Sequence, residues 1–89
     1  MKVFPATQEA KMPHVIIKMY PGRTAAQKQA LCDQIVKDVM EIAGCEEKTV
    51  SVGIEEIPRE EWAETVYRPD ILEKKDTLYK LPGYNPFGG

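Results

Sequence analysis

The first clear pattern is HVIIKMY, residues 14–20. Val15, Ile17 and Met19 alternate onto one face; Ile16 and Tyr20 share the other with His14 and Lys18. A period of two predicts a strand, and apolar residues on both faces predict cover on both. Pro21-Gly22 stops it. Thr24 is a good N-cap, and Gln27 three residues on completes a capping box. From there AAQKQALCDQIVKDVMEIA reads as one long helix. Leu31, Ile35, Val39 and Ile42 keep helical spacing, flanked by Cys32, Val36, Met40 and Ala43. Gly44 fits the stop.

Thr49 to Ile57, TVSVGIEEI, alternates Val50, Val52 and Ile54 with Ser51, Gly53 and Glu55, and predicts a second strand. Strand, helix, strand is a βαβ unit. Its strands should run parallel, joined by a right-handed crossover. The class is therefore α/β (α+β). A two-stranded sheet leaves edges and one face open, which predicts pairing with a second copy of the chain.

Beyond this unit, Pro58 can open a short helix, with Glu60 and Glu61 in its first turn. PREEWAETV predicts two turns, broken at Arg68-Pro69. Asp70 to Leu81 predicts a second helical segment carrying Ile71, Leu72, Leu78 and Leu81. Pro82-Gly83, Pro86, Gly88 and Gly89 predict an irregular close.

Composition narrows the function classes. With 89 residues the default is one domain with a modest core. The 12 basic and 14 acidic residues leave a net charge of −2 without any basic block, so nucleic acid is not an expected partner. Cys32 and Cys45 lack partners at metal-ligand spacing, and His14 is the sole histidine. They read as reduced thiols, and no metal or cofactor is expected. No apolar run reaches the roughly 18 residues of a membrane span. Residues 1–12, MKVFPATQEAKM, lack the apolar centre of a signal peptide. The expected location is the cytoplasm, with no membrane partner.

The chemistry gathers around PHVIIKMYPGRT. This run, followed by the long helix, TVSVGIEEI, IPREEW and KLPGY, resembles the 4-oxalocrotonate tautomerase superfamily. It is most similar to its short bacterial tautomerase-like branch. The resemblance runs from Pro13 to about Tyr84, and it divides the chain into an extension, 1–12, and a tautomerase-like domain, 13–89. In that family the mature chain begins with proline after methionine is removed, which places the catalytic role on Pro13. The chemistry agrees. A free α-amino group titrates near about 8, and desolvation or a neighbouring cation lowers that value. A proline at the N-terminus is a secondary amine able to act as general base near neutral pH. Joined to a preceding residue, the same nitrogen is an amide with no basic lone pair.

The resemblance also gives Arg23 the substrate-binding role. A guanidinium holds a carboxylate through two parallel hydrogen bonds and offsets charge on an enolate. Trp62 falls where the family often has an aromatic pocket wall. Wall and ordinary core packing are both open for it. Some members carry a second arginine in the second strand, where this chain has Ser51. That argues against a dicarboxylate and leaves room for a monocarboxylate such as an aryl 2-oxo acid. Ser51, facing away from Val50 and Val52, is a candidate lining residue. His14 is expected to point away from Pro13 and to be structural.

The resemblance therefore implies a tautomerase that interconverts enol and keto forms of a small 2-oxo acid, as a homodimer or trimer of dimers. The extension bears on this. Either Met12 is the start of the working chain, or residues 1–12 are native and Pro13 is blocked. In the second case a non-catalytic binding or assembly role follows. Lys2-Val3-Phe4 would suit an added edge strand or an interface seal; a frayed terminus is the alternative.

Overall fold

A computed structural model describes residues 11–88. The edge strand expected at Lys2-Val3-Phe4, and all of the extension except Lys11 and Met12, lie outside the described residues.

Two strands form the sheet, β1 (His14–Met19) and β2 (Ser51–Glu56), with helix α1 (Ala25–Val39) between them in sequence. The register is read from two bonds. The Ser51 N–H donates to the Pro13 carbonyl at 3.1 Å and the Ile57 N–H to the Met19 carbonyl at 2.9 Å. The offsets 51 − 13 and 57 − 19 are both 38, so the strands run parallel. This is the βαβ unit the apolar pattern predicts. Val15, Ile17, Val52 and Ile54 are half-buried on one face, while His14, Ile16, Ser51 and Glu55 are exposed.

α1 begins as its sequence requires. The Thr24 side chain accepts from the Gln27 N–H at 3.0 Å, and the Gln27 side chain accepts from the Thr24 N–H at 2.9 Å. Two otherwise orphaned donors are thereby satisfied. The end departs from expectation. Met40–Gly44 opens into a wider turn, closed by the Cys45 N–H bonding five residues back to Met40 at 3.3 Å. Gly44 stops it at φ +72°, a conformation that suits glycine. Widening the turn shifts the angular phase of the last residues. Ile42, expected on the apolar stripe, is consequently 84% exposed, whereas Ile35, Val36 and Val39 stay half-buried.

The described residues group into two compact units. One holds 11–17 and 22–55; the other holds 18–21 and 56–88. In the second, Pro58 opens a tight turn, Arg59–Glu61, closed by the Glu61 N–H donating to the Pro58 carbonyl at 3.0 Å. A helix of wide turns, Ala63–Leu72, follows and ends with the Glu73 N–H bonding five residues back to Arg68. Pro69 lies inside it and does not break it, which corrects the expected interruption at Arg68-Pro69. Proline lacks an N–H, and its ring clashes with the carbonyl four residues back in an α-helix. A wider turn moves that carbonyl aside, so the helix continues. The helix expected over Asp70–Leu81 is also shortened: Asp70–Leu72 close the wide helix, and among the described residues the one helical turn past Leu72 is Lys75–Thr77. Among the described residues, no helix is long and apolar enough to cross a membrane.

Candidate active site

Pro13 sits immediately before β1, half-buried, with its carbonyl fixed by Ser51 at the first rung of the ladder. Its nitrogen is bonded to Met12. Met12 has φ +55°, in the left-handed region that a bulky residue seldom occupies, least of all before proline. Among the described residues of the first unit, the non-glycine residue at positive φ is therefore the one joined to the Pro13 nitrogen.

The same register determines the surroundings of Pro13. Ser51, bonded to the carbonyl of residue 13, lies beside residue 14. The His14 Nδ1 and Ser51 Oγ are 2.6 Å apart and share a hydrogen bond. His14 and Ser51 thus occupy one exposed face. A structural role for His14, the one expected of it, agrees with a bond that ties the two strands together. The structure brings Pro13, His14 and Ser51 together within the first unit.

Arg23 belongs to that unit too, on the loop between β1 and α1. Gly22 before it has φ +131°, and a Cβ there would meet nothing within 4 Å. The glycine is required by the backbone bend and not by lack of space. Thr24 after it is locked in the capping box. Arg23 is thereby held between two conformationally fixed residues. It is exposed and has no ion pair among the described residues, so its five donors remain available to a carboxylate. No hydrogen bond links Arg23 to Pro13, His14 or Ser51 among the described residues.

Trp62 lies in the second unit, between the Arg59–Glu61 turn and the wide helix, and is half-buried. Its ring meets Tyr20 edge-on, with centroids 5.1 Å apart and an interplanar angle of 88°. The Arg59 guanidinium lies 5.3 Å from the Tyr20 ring centroid, within cation–π range. The Trp62 Nε1–H donates to the Tyr84 hydroxyl at 2.9 Å. Trp62 is therefore part of an aromatic cluster. The sequence pattern does not single out Tyr20 and Tyr84 as its neighbours. They stand 42 and 22 positions from Trp62 in irregular segments, and contacts of that kind leave no periodic trace.

A family model described as "Tautomerase enzyme" matches residues 13–66. The chain belongs to the tautomerase family. A "Probable tautomerase" from Xylella fastidiosa (strain 9a5c) is 40% identical over 73 residues, spanning 82% of this chain and 89% of that protein. "Tautomerase PptA" from Cronobacter sakazakii is 35% identical over 74 residues, covering 82% of this chain and 97% of that one. Among solved structures, YwhB, described as a homologue of 4-oxalocrotonate tautomerase, superposes with TM-score 0.52 at 38% identity. It covers 53% of this chain and 77% of that one. These likenesses place this tautomerase-family chain in the 4-oxalocrotonate tautomerase superfamily and support an isomerase function of the tautomerase type. The segment matched by the family model starts at Pro13 and ends at Val66, so Tyr67, Tyr84 and Phe87 lie beyond it.

Proposed function

We propose that the protein interconverts enol and keto forms of a small 2-oxo acid, with Pro13 as general base in a chain that begins at that residue. The observation that carries this reading is that the family match starts at Pro13, directly after Met12. Ketonisation removes the proton from the enol oxygen and adds one at the neighbouring carbon. The free amine takes the first proton; the enolate's π pair then accepts a proton from the resulting ammonium at carbon. The amine is regenerated, and no oxidant or reductant is needed. Arg23 pairs with the substrate carboxylate and offsets enolate charge. Trp62 supplies an apolar wall, which keeps water out and favours the neutral amine. Ser51, a neutral hydroxyl paired with His14, favours a monocarboxylate such as an aryl 2-oxo acid over a dicarboxylate.

The working form in this proposal is a homo-oligomer, a dimer or a trimer of dimers. Its support is the scarcity of interior. Only Cys45, Val66 and Tyr67 are buried among the described residues, and Ile16 stands half exposed on the open sheet face. A domain this small needs further apolar cover.

A second reading is favoured by one fact. In the 89-residue chain Pro13 is an amide behind Met12. A chain that works in that form would be a binding or assembly member without proline chemistry.

Intact mass of the protein isolated from its own cell separates the two readings. A mass of 13–89 supports the catalytic one, and the mass of 1–89 supports the other. In the 13–89 form, Pro13→Ala should lower the rate of 2-oxo acid ketonisation about 10²–10⁴-fold. An unchanged rate would remove Pro13 from the mechanism.

A further inference from the structure

We infer that Tyr84, outside the segment shared with the family model, is the positioning residue for Trp62. The half-buried Trp62 ring is fixed in direction by its N–H, which donates to the Tyr84 hydroxyl at 2.9 Å. The phenol accepts through its oxygen and keeps its own proton available to a further acceptor.

Tyr84 itself is 47% exposed, so its own burial does not fix it. Its neighbours do. The Tyr67 hydroxyl donates to the Tyr84 carbonyl at 3.2 Å, and Tyr67 is 7% exposed on the wide helix. The two rings pack with centroids 5.4 Å apart. Three residues on, Phe87 meets Tyr67 at 5.8 Å and lies under the Arg68 guanidinium at 4.6 Å. Arg68 is in turn held by Glu64 through two bonds, 2.9 and 3.1 Å. The segment between Tyr84 and Phe87 is closed by its own turn. The Asn85 carbonyl accepts from Gly88 at 3.1 Å, and the Asn85 side chain accepts from the Phe87 N–H at 2.9 Å. Pro86 stands at the turn position that its fixed φ suits. Tyr67 and Phe87 thus anchor the tail from which the Tyr84 hydroxyl reaches the indole.

The consequence is specific. Trp62 is oriented from beyond the segment matched by the family model, and altering the tail should alter the wall that Trp62 supplies. That last step rests on the proposed function, in which Trp62 borders the substrate.

Trp62 is the sole tryptophan, so its fluorescence reports on it alone. In the full chain, Tyr84→Phe keeps the ring and removes the acceptor. Acrylamide quenching of Trp62 should rise about twofold or more, with a shifted emission maximum and an unchanged far-ultraviolet circular dichroism spectrum. Tyr67→Phe should loosen Trp62 in the same direction by a smaller factor. Quenching within error of wild type in both variants would overturn the anchoring. In the 13–89 form, Tyr84→Phe should raise KM for an aryl 2-oxo acid about fivefold and leave kcat within about twofold. An unchanged KM there, alongside a Pro13→Ala variant that is inactive, would overturn the positioning role alone. A fully active Pro13→Ala variant would overturn the proposed function, and the quenching result would still decide whether Tyr84 holds the indole.

Discussion

The unit of residues 11–17 and 22–55 and the unit of residues 18–21 and 56–88 are stabilised by different interactions. The first contains the ladder bond from Ser51 to Pro13, a capping box, and glycines at φ +131° and +72° where the chain must bend. Its candidate site residues are set at fixed backbone points, Pro13 at the head of a strand and Arg23 between a bend and a cap. The second has backbone bonds of its own, from Ile57 to Met19 and from Gly88 to Asn85, and adds packed rings. Tyr20 packs on Trp62, Tyr67 packs on Tyr84 and Phe87, and two arginines lie over rings. The wide helix contributes Val66, at 4% exposure the most buried of the described residues. Substitutions in the two units should therefore fail in different ways.

The largest effect testing this difference is expected at Arg23. It has no ion pair to lose among the described residues, so Arg23→Ala should leave the melting temperature nearly unchanged. A charged pair to a carboxylate is commonly worth more than a neutral hydrogen bond, so kcat/KM for a 2-oxo acid should fall about tenfold to a hundredfold in the 13–89 form. Arg23→Lys should recover part of it, since the charge remains and the two-pronged geometry is lost. Steady-state kinetics beside a thermal melt checks both halves. A large drop in melting temperature would mean that Arg23 supports the fold and would weaken its assignment to substrate.

The same division explains how much of the fold and of the candidate site is legible in the sequence. The βαβ unit follows from local rules: period-two strands at HVIIKMY and TVSVGIEEI, the cap at Thr24 with Gln27, and the stop at Gly44. Pro13, Arg23 and Ser51 are positioned by those elements, so their places along the backbone are legible too. His14 is different. Its own strand gives a facing direction, but the cross-strand register decides which residues share that face, and it pairs His14 with Ser51. Ile42 escapes the helical pattern because the phase change in the wide turn at Met40–Gly44 has no periodic signature. Pro69 obeys the α-helical rule only in an α-helix, and the chain accommodates it with wider turns. The hydrogen bond from Trp62 to Tyr84 joins residues of two irregular segments, and no spacing rule reaches it.

A smaller effect next to Arg23 sharpens the contrast. Thr24→Ala removes the side-chain oxygen that accepts from Gln27 and should cost about 1 kcal/mol of stability. Denaturant unfolding measures it. Because the cap belongs to the first unit, Trp62 quenching in the folded protein should not change. Arg23 and Thr24, adjacent in sequence, should thus separate into one residue whose loss appears in kinetics and one whose loss appears in stability. Equal stability losses at both positions would erase the distinction.

The smallest expected effect is a pH dependence confined to the second unit. The hydrogen bond from the Arg68 guanidinium, aided by its charge, holds the Glu64 carboxyl below the usual carboxylate range. The pair is exposed, so its contribution is small and weakened by salt. Its sign is nevertheless fixed. A carboxylate with a lowered folded-state pKa stabilises above its unfolded value, and that stabilisation disappears as pH falls through the lowered one. Protonated Glu64 then holds Arg68 less firmly over Phe87, and the tail that carries Tyr84 loses one anchor. Trp62 quenching should therefore rise slightly as pH drops below the ordinary carboxylate range. Glu64→Gln should show that raised quenching already at neutral pH and flatten the acid dependence. A rise of equal size in wild type and Glu64→Gln would trace the acid effect to other groups. It would leave Tyr67 as the anchor of the tail and remove the Glu64–Arg68 pair from that role.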